Sequence, residues 1–83
     1  MSGTAPRLAS VPPFTVDGVE WRCWIIEVHG HERFEWRTAD DTCAVWRDGA
    51  MFWASTHGRL VGRSHPTLRA AMVHALETRR LAA

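Results

Sequence analysis

The side chains of this 83-residue chain that could do chemistry are five histidines, two cysteines and nine acids. None stands in a spacing that chemistry uses. His29 and His31 form a His-x-His at a turn signal. Zinc sites draw four ligands from close pairs, and the chain has neither Cys-x-x-Cys nor a His pair four residues apart. Cys23 and Cys43 fall at apolar positions of alternating segments, whereas an activated cysteine needs an electropositive, partly open setting. Ser55 and Ser64 have His57 and His65 close in sequence, but neighbours on turns do not make a triad. Asp40-Asp41 reads as loop chemistry rather than an acid–base dyad, and no glycine-rich phosphate loop is present. The expectation is a chain without catalytic residues, metal or cofactor.

The unusual residue types are tryptophan and arginine. There are five tryptophans and no tyrosine, and all ten basic residues are arginine. The absence of lysine fits the coding bias of a GC-rich genome. Tryptophan and arginine are also the residues enriched where proteins bind one another. Charge is near zero overall and uneven: residues 1–45 carry four Arg against seven acids, net −3, and residues 46–83 six Arg against two acids, net +4. A nucleic-acid binder favours a clearly basic footprint, which this chain lacks. No apolar run approaches the ~20 residues of a membrane span, and Met1 to Pro13 lacks the charged-then-apolar pattern of a secretion signal, so a cytoplasmic location is expected.

Length allows one small domain. Residues 1–13 hold three of the four prolines and read as a flexible arm; residues 14–83 form the body. Asp17-Gly18, His29-Gly30, Asp48-Gly49 and His57-Gly58 are turn signals, and Asp48-Gly49 is the strongest, because a type I′ turn needs positive φ at both central residues. They divide the chain into strands at 19–28, 31–38, 43–47, 50–56 and 59–63. The period then changes: Leu68, Ala71, Met72, Ala75 and Leu76 make the stripe of an amphipathic helix ending near Leu81, with Ser64 or Thr67 as its cap. The fold expected is α+β, an antiparallel five-stranded meander with one C-terminal helix on one face.

Directly paired residues share a face of a sheet. Two-residue turns pair Cys23 with Trp36, Ile25 with Phe34, Trp46 with Met51, Val45 with Phe52, Ser55 with Leu60 and Ala54 with Val61; a four-residue loop pairs Trp36 with Val45. One face then carries Val19, Trp21, Cys23, Ile25, Phe34, Trp36, Cys43, Val45, Phe52, Ala54 and Val61, a core face for the helix. One helix is too narrow to cover it, so something else must shelter Trp21 or Trp36. Cys23 and Cys43 share the face with a strand between them, beyond disulfide reach. The opposite face should be polar. Instead it carries Trp24, Trp46, Met51 and Trp53, with Arg22, Arg33 and Arg37 beside them. Such a patch marks a binding site, and these seven residues are the candidate partner-binding set. A foreign protein, a second copy of the chain or nucleic acid could occupy it.

Two resemblances bear on the occupant. The run Asp48-Gly49-Ala50-Met51-Phe52-Trp53-Ala54, Gly58-Arg59, then Thr67-Leu68-Arg69-Ala70-Ala71 resembles, in element order over residues 43–76, the AP2-like and integrase arm-binding domains. That resemblance implies a sheet that reads DNA. Glu20 and Glu35, interleaved with the arginines, oppose phosphate binding. In size and build the chain also resembles phage-encoded inhibitors of the anti-CRISPR type. That resemblance implies a small protein that docks on a bacterial nucleic-acid-processing complex, such as a CRISPR effector complex, and blocks it. Of the two, the inhibitor is the expectation.

Overall fold

A computed structural model describes residues 5–82 of the chain. Its strands are β1 (Arg7–Leu8), β2 (Phe14–Val16), β3 (Val19–Val28), β4 (His31–Thr38), β5 (Cys43–Asp48), β6 (Met51–Thr56) and β7 (Arg59–Leu60), followed by helix α1 (Leu68–Ala82). All pairings are antiparallel, in the order β1-β3-β4-β5-β6-β7, and β2 lies beside β3 along the same edge as β1. The five expected strands are therefore joined by two more. The described part of the expected arm contributes β1, whose Arg7 and Leu8 face Ile25 and Trp24; residues 1–4 lie outside the described chain.

Turn chemistry sets the registers. At Asp17-Gly18, His29-Gly30 and His57-Gly58 both central residues have positive φ, the type I′ geometry that matches strand twist. The pairings across β3–β4, β4–β5 and β6–β7 are those expected, with Cys23 against Trp36, Trp36 against Val45 and Ser55 against Leu60. The β5–β6 turn differs. Its central residues are Gly49 and Ala50, and only Gly49 (φ +65°) is left-handed. This is the type II′ arrangement, which needs glycine only at its first central position. Trp46 accordingly faces Trp53 rather than Met51, and Val45 faces Ala54 rather than Phe52. The register moves by two residues, so every side chain keeps its face.

The helix begins where expected. Thr67 is the cap, its Oγ1 accepting the Ala70 N–H at 3.1 Å. Ala71, Met72, Ala75 and Leu76 point inward and pack against Val16, Trp21, Cys43, Val45, Ala54 and Val61. The helix lies on β5 and β6 and touches β2. A buried polar contact pins it to the sheet: Thr56 Oγ1 donates to the Ala75 carbonyl at 3.0 Å, with the Cys43 thiol 3.7 Å from the same oxygen. Trp21 is sheltered by β2, whose Phe14 pairs with it and whose Val16 joins the same cluster. Trp36 is left at the margin, flanked by Phe34 and Phe52 at centroid distances of 6.4 Å. Cys23 and Cys43 are buried and free.

Candidate functional site: the tryptophan–arginine face

The face away from the helix is built in rows, because successive cross-strand partners line up across the sheet. One row runs Leu8, Trp24, Glu35, Trp46, Trp53 over β1, β3, β4, β5 and β6. The next runs Arg22, Arg37, Ala44, Ser55, Leu60. On the other side, Ile26 faces Arg33 and Asp48 faces Met51. The sheet thus brings all seven expected residues, Arg22, Trp24, Arg33, Arg37, Trp46, Met51 and Trp53, onto one surface. The four apolar members are partly buried rather than fully open.

Glu35 sits at the centre of this face and was missed as a site residue, because alternation alone reads it as one more solvent-facing acid. It is only 5% exposed. Its two oxygens are divided between the flanking arginines: Arg33 Nη2 donates to Oε1 at 3.2 Å, and Arg37 donates through Nε at 2.7 Å and Nη2 at 2.6 Å to Oε2. The Arg33 guanidinium also lies over the Trp46 ring, 5.0 Å from its centroid, a cation–π contact. The signal that could have found this clamp is Arg33-Glu35-Arg37 itself. Residues two apart on a strand share a face, so three alternating charges there form one cluster.

The charge of the face is therefore mixed. The clamp of two arginines and one glutamate carries a net +1. Arg22 lies 3.6 Å from Glu20, both about half exposed. Arg22 and Arg37 face each other directly, and each is paired with an acid of its own, Glu20 and Glu35. A shallow cleft of about 270 Å³ opens there, lined by Arg22, Trp24, Arg37, Thr38, Ala39 and Asp41.

Elsewhere the structure joins groups that are far apart in sequence. His65 Nε2 and His74 Nδ1 are 2.8 Å apart, with ring centroids at 4.9 Å and planes nearly perpendicular. Burial, then His74, then Arg63 hold the His65 pKa below its ordinary value. This pair walls a wide, open cleft with Arg63, Thr67 and Arg69. At the other end of the helix, Asp40 accepts hydrogen bonds from Thr38 and Thr42 and pairs with Arg79 at 3.3 Å. The Thr38 and Thr42 bonds, with Arg79 adding to them, lower its pKa to about 2. Burial raises the pKa of the Cys23 thiol, so it is the opposite of an activated nucleophile. Among the described residues, no group of three or more His, Cys, Asp and Glu is placed to hold a metal ion. No helix among them is long and apolar enough to cross a membrane.

Comparison of the chain with protein-family models, with curated proteins and with solved structures finds no match.

Proposed function

We propose that this chain is a non-enzymatic binding protein that docks on another protein through the tryptophan–arginine face. By its size and build it acts as an inhibitor of the anti-CRISPR type, covering a surface of a bacterial nucleic-acid-processing complex. The observation that carries the binding reading is the row Trp24, Glu35, Trp46, Trp53 with its arginine clamp. Flat aromatic surface edged with arginine is the composition of protein-binding hot spots. The clamp holds two guanidinium groups in place before any partner arrives, which lowers the ordering cost of binding. Its net +1 would be matched by a partner carboxylate, while Glu20, Glu35 and Asp48 on the same face disfavour a run of phosphates.

The second reading, a sheet that reads DNA in the AP2-like manner, is favoured by one observation: Arg22 and Arg37 flank the Trp24 cleft. A phosphate held by the two arginines beside a stacked base would fit that chemistry.

One experiment separates them. The tagged chain is used to capture partners from bacterial lysate with and without nuclease, alongside Trp46→Ala, Trp53→Ala and Arg22→Glu. Protein capture that survives nuclease and is lost in the three variants supports docking. Capture abolished by nuclease moves the assignment to nucleic acid, and capture indifferent to the variants rejects this face.

A further inference from the structure

The segment after β7 runs back along β6, where the backbones of Phe52 and His65 exchange two hydrogen bonds, at 2.7 and 2.8 Å. This sets the His65 ring against the helix, with its Nε2 2.8 Å from His74 Nδ1. One proton lies between two such nitrogens. If His65 Nε2 donates, the outer N–H of the pair is on His74 Nε2; if His74 Nδ1 donates, it is on His65 Nδ1. Either way the neutral pair has one outer N–H and one bare outer nitrogen. Neither outer nitrogen has a partner among the described residues, and neither is sealed from solvent. A single added proton makes both of them donors and leaves the bridging bond in place.

The pair walls an open cleft of about 670 Å³ beside Arg63 and Arg69. Arg63 is exposed and makes no ion pair or hydrogen bond with another described residue. Arg69 reaches only Asp17, at 3.9 Å, with 69% of its own side chain in solvent, and so stretched a pair holds it weakly. The acid of the cleft is Glu77, exposed and three residues on from His74 along the helix. Two arginines and one glutamate sum to +1, and a proton on the histidine pair makes +2. β6 brings Phe52 to His65 and carries no charged residue.

We propose that this cleft binds the phosphate group of a small phosphate monoester, and that the histidine pair takes up one proton from solvent as it does so. The terminal oxygens and double charge of that group match two guanidinium groups and two outward imidazole N–H donors. A carboxylate, with fewer oxygens and a single charge, would leave donors unused. A nucleic-acid strand needs a row of phosphate contacts, whereas these cations form one cluster with Glu77 at its side. Ala70 and Val73, half-buried in the same wall, give the esterified group an apolar surface. Burial, then His74 and Arg63 hold the His65 pKa down, and a bound dianion opposes all three. The inference does not rest on the reading of the tryptophan–arginine face, which lies on the other side of the sheet.

The test is isothermal titration calorimetry of the full chain with phenyl phosphate at neutral pH, in two buffers of different ionisation enthalpy. It reads affinity and proton uptake together. One saturable site should appear, with uptake of about one proton per ligand. By NMR, the His65 pKa should rise by about one unit when phenyl phosphate is bound. Arg63→Gln, at an exposed position, should keep the fold and weaken binding about tenfold. His74→Gln should weaken binding and remove most of the proton uptake, which a purely structural role would not do. Trp46→Ala should bind as the parent does, and benzoate and inorganic phosphate should each bind about tenfold more weakly than the ester. No saturation by about 10 mM phenyl phosphate, binding without proton uptake, or an affinity unmoved by Arg63→Gln would each overturn the inference. Inorganic phosphate as tight as phenyl phosphate would overturn the assignment to an ester.

Discussion

Removing the Glu35 carboxylate tests the organisation of the tryptophan–arginine face. Breaking a buried ion pair from one side costs ~3–5 kcal/mol, because the remaining charge is stranded. Here the stranded groups are Arg33 and Arg37, whose side chains are 34% and 30% exposed. They can recover part of their hydration, so Glu35→Ala should cost ~2–3 kcal/mol. An 83-residue domain has ~4–12 kcal/mol in total, so the loss is a large share of it. Urea unfolding followed by tryptophan fluorescence reads it directly. With a slope of ~1 kcal/mol per molar, the midpoint should fall by ~2–3 M. Glu35→Gln keeps the shape but removes the charge, and should cost ~1–2 kcal/mol. A double-mutant cycle with Arg37→Ala should give a coupling above ~1 kcal/mol. A Glu35→Ala midpoint within ~0.5 M of the parent would refute the reasoning. The carboxylate would then be solvated in practice, and the arginines would not be pre-positioned by it.

Three further perturbations follow from the geometry. Gly49→Ala forces a side chain into φ +65°, and should cost ~1 kcal/mol in the same urea assay; no loss would mean the β5–β6 turn is not the one described. The Asp40 pKa is lowered in the folded chain, so its contribution is present above the ordinary 3.8 and is lost as pH falls toward about 2. Because 57% of that side chain is in solvent, screening limits the effect to ~1 kcal/mol or less, and Asp40→Asn should flatten stability over that acid window. The His65 pKa is also lowered, and the sign is the same as for Asp40: the unfolded chain takes up its proton first as pH drops through 6.5. Stability should therefore fall on acidification below that value, with Arg63 and His74 as the charged or titratable neighbours, and His65→Gln should remove that slope. A slope unchanged by the substitution would assign it to another group.

Much of the fold was legible because independent local signals agreed. The Asp17-Gly18, His29-Gly30 and His57-Gly58 dipeptides each fix a two-residue turn, and period-two alternation places the side chains on their faces. The β5–β6 register was not legible for the same reason that the faces were. A shift of two residues leaves every face unchanged, so hydrophobic pattern cannot choose between Asp48-Gly49 and Gly49-Ala50 as the turn centre. β1 was hidden because Arg7–Leu8 is too short to show a period, and it pairs only through contact with β3. At the site, the seven face residues followed from alternation, whereas the burial of Glu35 depends on how Arg33 and Arg37 fold over it. The His65–His74 pair joins a loop to a helix and has no local signature.

The most direct measurement uses the five tryptophans as reporters. Each indole N–H of the ¹⁵N-labelled chain gives one signal, and the set divides by position: Trp24, Trp46 and Trp53 on the proposed docking face, Trp36 on the helix side, and Trp21 fully buried with its N–H unpartnered. With the captured partner added, the Trp24, Trp46 and Trp53 signals should shift or broaden together while Trp21 and Trp36 stay in place. Perturbation of Trp36 with the other three unmoved would put the partner on the helix side and contradict the proposed function.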